Sequence, residues 1–198
     1  MNFYFIRHGE TDWNVKKKIQ GKTDVPLNEN GLNQAKALAK ELVRLQPDVM
    51  RVYTSPQKRA SETARIAAEA LGIRCMILDG LKEMDLGEWE GSNWDIIEET
   101  YGETYYYWNS HRRYTHTPGG ECYNEVLGRA LASLGTILEQ ERGSVLVVTH
   151  SAILMVLRCY LARLPFEEML SFRTKNAAWF SVSAEEIKDA LTRFDAGE

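Results

Sequence analysis

A three-layer α/β/α sandwich around a mostly parallel sheet is the fold class this sequence predicts, and three short runs predict it. Asn2–Ile6, Arg51–Thr54 and Ser144–Thr149 are rich in apolar, β-branched or aromatic residues, and segments with helical spacing alternate with them. Runs of that length and composition read as buried strands. Strands alternating with helices build parallel sheets, and ligands collect beyond the strands' carboxyl ends. Those ends offer Arg7, His8, Arg59 and His150 to one crevice. The set is cationic or nucleophilic throughout, which suits a phosphoryl group.

The elements follow in order. After the first strand comes a polar loop from Gly9 to Asn30, with Lys16, Lys17 and Lys18 in it. Asn30-Gly31 opens a helix in which Leu32, Ala35, Leu38, Ala39 and Leu42 keep the 3.6 period, and Pro47 is expected to end it. The second strand holds Val52 and Tyr53 and ends at Ser55-Pro56. A helix from Gln57 to Leu71 stops at Gly72, the residue type that best tolerates a left-handed C-terminal cap. Ile73–Leu78 reads as a third strand and leads to an acidic loop, Glu83 to Glu90. An aromatic helical region spans Trp94–Trp108, and Pro118-Gly119-Gly120 turns the chain into a helix from about Tyr123 to Glu141. After the fourth strand a helix covers Ile153–Leu164. A strand at Ala178–Ser183 pairs at the sheet edge, and a short polar helix follows.

With 198 residues and no repeat or low-complexity linker, residues 1–198 read as one domain. The net charge of −4 argues against nucleic acid, whose phosphates call for a basic face. Cys75, Cys122 and Cys159 are dispersed, without C-x-x-C spacing, and read as free thiols. The N-terminus lacks a signal-peptide pattern, and Arg158 interrupts the longest apolar stretch, Ala152–Leu157, far short of a membrane span. A cytoplasmic protein acting on a small phosphorylated metabolite, away from nucleic acid and membrane, is the expectation.

Cleaving a phosphomonoester takes an in-line nucleophile, cations on the equatorial oxygens and an acid for the leaving alkoxide. His8 serves as nucleophile if neutral, a state that Arg7, Arg59 and His150 favour by like-charge repulsion. Arg7 and Arg59 supply planar forks for phosphate oxygens. A protonated His150 adds another donor. Glu83, Asp85, Glu88 and Glu90 share one loop, and composition alone does not choose the acid among them.

Four motifs now stand in order: Arg7-His8-Gly9-Glu10-Thr11 with Trp13-Asn14, Ser55-Pro56 with Arg59 to Ala64, Leu81 to Gly91, and Val148-Thr149-His150. Together they resemble the histidine phosphatase superfamily, in its phosphoglycerate-mutase-like branch and short phosphatase type. The resemblance runs from Phe3 to about Trp179. It implies a phosphohistidine on His8 and Glu83 as proton donor. Arg7, Arg59 and His150 would form the phosphate pocket, with Asn14, Gln20 and Gly21 touching the substrate. It implies no metal and no cofactor. Candidate esters include sugar phosphates, phosphoglycerates and the nucleotide-loop phosphate of cobalamin synthesis, with Gly9–Asn30 and Trp94–Pro118 deciding among them.

Two activities branch from the resemblance. Thr174–Trp179 and Pro118-Gly119-Gly120-Glu121 are similar to the short phosphatases, whereas Arg112-Arg113 resembles the arginine pair that holds a substrate carboxylate in mutases. Phosphatase is the leading reading, and a cofactor-dependent mutase is its rival. Ser151 and Cys122 depart from the residues common at their positions, glycine and serine. A non-catalytic phosphoester-binding module is a rival of another class, disfavoured because every catalytic position is filled. Metal-dependent hydrolysis lacks a ligand spacing in the sequence. His111 and His116 are read as surface residues, Lys16 to Lys18 as a solvated run and Cys159 as a packing thiol. Tyr105 to Trp108 offer a cap for a substrate ring, with core packing or the face of a homodimer the preferred reading.

Overall fold

In the computed structural model, which describes residues 1–45 and 48–198, five strands form one sheet in the order β3-β2-β4-β1-β5. They are β1 (Asn2–Arg7), β2 (Val49–Thr54), β3 (Cys75–Ile77), β4 (Ser144–Thr149) and β5 (Trp179–Ser183). The first four pair in parallel, and β5 runs antiparallel along β1 at the edge. The predicted class stands.

Side chains on a strand alternate between faces, and this alternation separates two packed layers. Phe3 and Phe5 of β1 and Val145 and Val147 of β4 face α5 (Tyr123–Gln140), α6 (Ser151–Leu161) and α7 (Ala184–Asp195). Ile6, Val52, Leu146 and Val148 face α2 (Glu29–Leu45) and α3 (Lys58–Leu71). α5 buries Leu127, Leu131, Leu134 and Ile137 on one stripe. Each fully buried leucine contributes about 1.5–3 kcal/mol of transfer free energy.

Boundaries shift where packing or capping overrules periodicity. α2 begins at Glu29, just ahead of Asn30-Gly31, and Pro47 lies outside the described residues. α3 ends as expected on Gly72, whose φ is 66°. The third strand is only three residues long, because β2 offers a partner to Cys75, Met76 and Ile77 alone. The aromatic region is α4 (Trp94–His111), and Gly102, at φ 41° and ψ −110°, kinks it. Within it Trp108 is buried while Tyr106 and Tyr107 are exposed, so packing accounts for only part of the aromatic run. α6 starts at Ser151 and ends at Leu161, earlier than the apolar run suggests. α7 is more than a polar tail: Ala184, Ile187 and Ala190 are buried on one side. Periodicity gave no warning of α1 (Asp12–Val15). Among the described residues no helix is long and apolar enough to cross a membrane.

Candidate active site

Strand β4 is inserted between β1 and β2, and this insertion builds the site. Arg7 stands opposite Thr149 in the β1–β4 register, and the His8 N–H donates to the Thr149 carbonyl at 3.0 Å. The next residue of each chain is a histidine, so the His8 and His150 rings meet with centroids 5.2 Å apart.

The imidazole of His8 is buried, and its Nδ1 lies 2.7 Å from the Gly9 carbonyl. A carbonyl only accepts, so Nδ1 carries the hydrogen and Nε2 keeps the lone pair. Burial, then Arg59, then Arg7 hold the His8 pKa well below the usual histidine value, which leaves the ring neutral. His150 is likewise held well below it, by burial first and then Arg59. Both of its ring nitrogens are without a hydrogen-bond partner among the described residues.

Arg59 enters from the first turn of α3 and is fully buried. Its Nη1 donates to the Thr23 carbonyl and its Nη2 to the Gly21 carbonyl, each at 2.8 Å. Gly21 has φ 51°, and a Cβ there would lie 2.0 Å from Glu90 Oε1, so only glycine lets the loop meet Arg59 this way. Arg7 Nη1 donates to the Thr174 carbonyl at 2.6 Å. The Nε atoms of Arg7 and Arg59 are buried without partners among the described residues. Such donors cost about 1–3 kcal/mol each when left unsatisfied, a cost that an anion in the cavity would offset.

Glu83 Oε1 accepts the N–H groups of Met84 at 3.0 Å and Ala152 at 3.2 Å. Burial raises its pKa above the usual carboxylate value, opposed by Arg59, those two N–H groups and Arg7. Of the four loop carboxylates, Glu83 is the one that lines the cavity. Asp85 pairs with Lys22 at 2.8 Å, Glu90 accepts from Lys22 N and Thr23, and Glu88 is exposed.

Asn14 is held by a capping box. Its N–H donates to Thr11 Oγ1 at 3.1 Å, while the Thr11 N–H donates to Asn14 Oδ1 at 3.0 Å. Gln20 accepts from Thr11 Oγ1 at 3.1 Å. Arg7, His8, Asn14, Gln20, Gly21, Arg59 and Glu83 all line one cavity of about 480 Å³, and His150 sits behind them, wholly buried. Trp13, Trp94, Tyr105 and Trp108 form an aromatic wall above.

Several contributors went unread in the sequence. Gln57, almost fully buried, donates to the Gly21 carbonyl at 3.0 Å and accepts the Glu83 N–H at 2.7 Å, tying the acid to the Arg59 loop. Asn176 Nδ2 donates to the His8 carbonyl at 3.0 Å, and the Ala177 N–H donates to the Arg7 carbonyl at the same distance. Lys17 and Lys18 reach the cavity rim, so the basic run is only partly a solvated face. The arginine pair differs: Arg112 is buried and lines both this cavity and a second one of about 680 Å³, while Arg113 stacks on Phe166 and lines the second alone. Ser151 also lines the site, Cys122 does not, and Cys159 is a buried thiol donating to the Leu164 and Pro165 carbonyls.

An α/β sheet that brings two neutral histidines, a buried and a half-buried arginine and a carboxylic acid to its carboxyl edge defines a phosphatase-type enzyme. The chain belongs to the histidine phosphatase superfamily (branch 1), whose family model matches residues 3–196. It is 31% identical over 191 residues to phosphoserine phosphatase 1 of Hydrogenobacter thermophilus, covering 96% of this chain and 90% of that one. It is 36% identical over 152 residues to the metal-independent phosphoserine phosphatase of Arabidopsis thaliana, covering 75% of this chain and 63% of that one. Among solved structures, the mycobacterial glucosyl-3-phosphoglycerate phosphatase in complex with VO3 is similar with a TM-score of 0.81 and 27% identity, over 92% of this chain and 90% of that one.

Proposed function

We propose that the chain is a metal-independent phosphomonoesterase that hydrolyses a small phosphorylated metabolite through a phosphohistidine on His8. The observation that carries the reading is the His8 ring itself: neutral, with Nε2 available, beside Arg7 and Arg59, whose buried Nε donors have no partner among the described residues. In the first step Nε2 attacks phosphorus and the bond to the ester oxygen breaks. The Glu83 carboxyl group gives its proton to that oxygen. In the second step water attacks the phosphohistidine, the Glu83 carboxylate takes the water's proton, and inorganic phosphate leaves with His8 restored. Arg7, Arg59 and an N–H of His150 hold the equatorial oxygens through both steps. Asn14 and the Gln20-Gly21 segment border the ester group.

Arg112 extends the reading to the substrate. It is a buried guanidinium on the cavity wall without a carboxylate partner among the described residues, and it favours an ester bearing a second anionic group. The same observation favours the mutase alternative, in which the phosphoryl group returns to a second hydroxyl of a phosphoglycerate. Three free thiols suit a reducing, cytoplasmic setting.

The test is phosphate release from p-nitrophenyl phosphate with a chelator present, comparing the native protein with His8→Ala. Turnover that survives the chelator and is lost in His8→Ala is expected. Equal turnover in both proteins would overturn the mechanism. A native protein that releases no phosphate but interconverts phosphoglycerates would make the mutase reading correct.

A further inference from the structure

Outside the catalytic cavity, three side chains of different chemistry converge on the N-terminus of α5. They are the imidazole of His116, the thiol of Cys122 and the carboxylate of Glu125, each offering one donor atom, all within 4.8 Å of one another. His116 Nε2 lies 2.9 Å from Glu125 Oε2. We propose that these three residues form a binding site for a borderline-soft divalent ion, zinc in the first instance.

The donor set selects the ion. Thiolate and imidazole favour zinc or cobalt and are poor ligands for magnesium or calcium. Tetrahedral zinc, with bonds of about 2.0–2.3 Å, places its ligands roughly 3.4–3.6 Å apart. Side chains spread over 4.8 Å reach that spacing by small rotations of the half-exposed His116 and Glu125; Glu125 Oε2 already accepts the Cys122 N–H at 3.0 Å, which leaves Oε1 to turn toward the ion. Cys122 is the fixed member: it is buried, and its side chain caps α5 by accepting the backbone N–H of Glu125. N–H donors of this kind stabilise a metal-bound thiolate and set its direction. Thiolate and carboxylate together bring two negative charges, which offset the ion beside the positive end of α5. Water takes the fourth position.

The consequence is mechanical, not catalytic. The turn between His116 and Cys122 supports the acid loop: Glu88 N–H donates to the Pro118 carbonyl at 2.9 Å, and Glu121 N–H donates to the Asp85 carbonyl at 2.8 Å. Asp85 N–H donates back to Glu121 Oε2, also at 2.8 Å. An ion bridging His116 to the first turn of α5 clamps this turn from its outer side.

The experiment titrates Co²⁺ into the reduced, chelator-stripped full chain and follows the thiolate-to-cobalt charge-transfer absorption, then displaces it with Zn²⁺. One ion per chain is expected, together with a Tm several degrees higher when Zn²⁺ is present. Cys122→Ser keeps the helix cap, since serine is a favoured N-cap residue. It should abolish the band and weaken binding by at least ~100-fold, while leaving the metal-free Tm in place. His116→Ala should keep the band and bind about 10–100-fold more weakly, and Cys75→Ser should bind as the native chain does. No band in the native chain, a band that survives Cys122→Ser, or unchanged affinity in His116→Ala would each overturn the site. Phosphate release in chelator is expected from both the native chain and Cys122→Ser, so this proposal and the hydrolytic one fail independently.

Discussion

Glu83 and Ala152 are joined across the mouth of the site: the carboxylate accepts the Ala152 N–H, 3.2 Å away, in the first turn of α6. A helix N-terminus favours a carboxylate's charged form, as does Arg59 nearby, yet burial outweighs both and leaves the acid weaker than usual. The result is a carboxylic acid oriented as an anion would be while remaining able to carry a proton.

Glu83→Gln tests that balance. On an alkyl phosphate, kcat/KM, which reports the first step and not the shared hydrolysis of the phosphohistidine, should fall about 10²–10⁴-fold, the usual worth of a general acid. On p-nitrophenyl phosphate, whose leaving group needs no proton, the loss should be much smaller. Removing a charge that burial disfavours should also raise Tm near neutral pH. Equal losses on both esters would remove Glu83 from the proton-donor role.

The pH dependence of kcat/KM should be bell-shaped. Protonating His8 destroys the nucleophile; because its pKa is depressed, the acid limb lies below the ordinary histidine value. Deprotonating Glu83 removes the acid; because its pKa is raised, the alkaline limb lies above the ordinary carboxylate value. In Glu83→Gln the alkaline limb should disappear and the acid limb should stay.

Stability should respond to the same histidines. His8 and His150 both have folded pKa values below their unfolded ones, so below about pH 6.5 the unfolded chain binds more protons. Their contribution is intact above that pH and is lost as pH falls toward the folded values, by up to about 1.4 kcal/mol per pH unit for each ring. Chemical denaturation at pH 7.5 and 5.5 should show a smaller loss for His150→Asn than for the native chain.

Arg112 and Arg113 should separate in a specificity assay. Arg112→Met should lower kcat/KM for phosphoserine or a phosphoglycerate about 10–100-fold, the worth of a charged hydrogen bond, and leave p-nitrophenyl phosphate nearly unaffected. Arg113→Met should alter neither. Similar effects from both variants would mean that the pair acts together.

Gly21→Ala should fail at two levels. A side chain at φ 51° is strained, and its Cβ would collide with Glu90. A stability loss of about 1–3 kcal/mol is expected, along with a higher KM as the carbonyl that holds Arg59 shifts. Urea denaturation and initial rates at low substrate together report both.

Much of the site could be read before any coordinates, because the chemistry-bearing side chains sit just past runs whose alternation is hard to mistake. His8 after Phe5-Ile6 and His150 after Val147-Val148 are the clearest cases. Other parts left no such trace. The Gly21 and Thr23 carbonyls that hold Arg59 are backbone atoms, which every residue possesses. Gln57 and Asn176 are ordinary amides until the fold brings 36 and 168 residues of separation to hydrogen-bond distance. Arg112 and Arg113 look equivalent in a string, yet past the end of α4 only Arg112 reaches the candidate site, while both line the second cavity. His116, Cys122 and Glu125 follow no standard ligand spacing, since the turn at Pro118-Gly119-Gly120 folds them together. Only the acid among four loop carboxylates was ambiguous in kind, and lining the cavity sets Glu83 apart.

The grip of Asn176 and Ala177 on the backbone of Arg7 and His8 has a consequence for biosynthesis. A nascent chain exposing everything through β4 already carries His8, Arg59, Glu83 and His150, but the segment that seats its nucleophile is still unmade. On the proposed mechanism, dephosphorylation should therefore switch on only when the segment leading into β5 docks on β1.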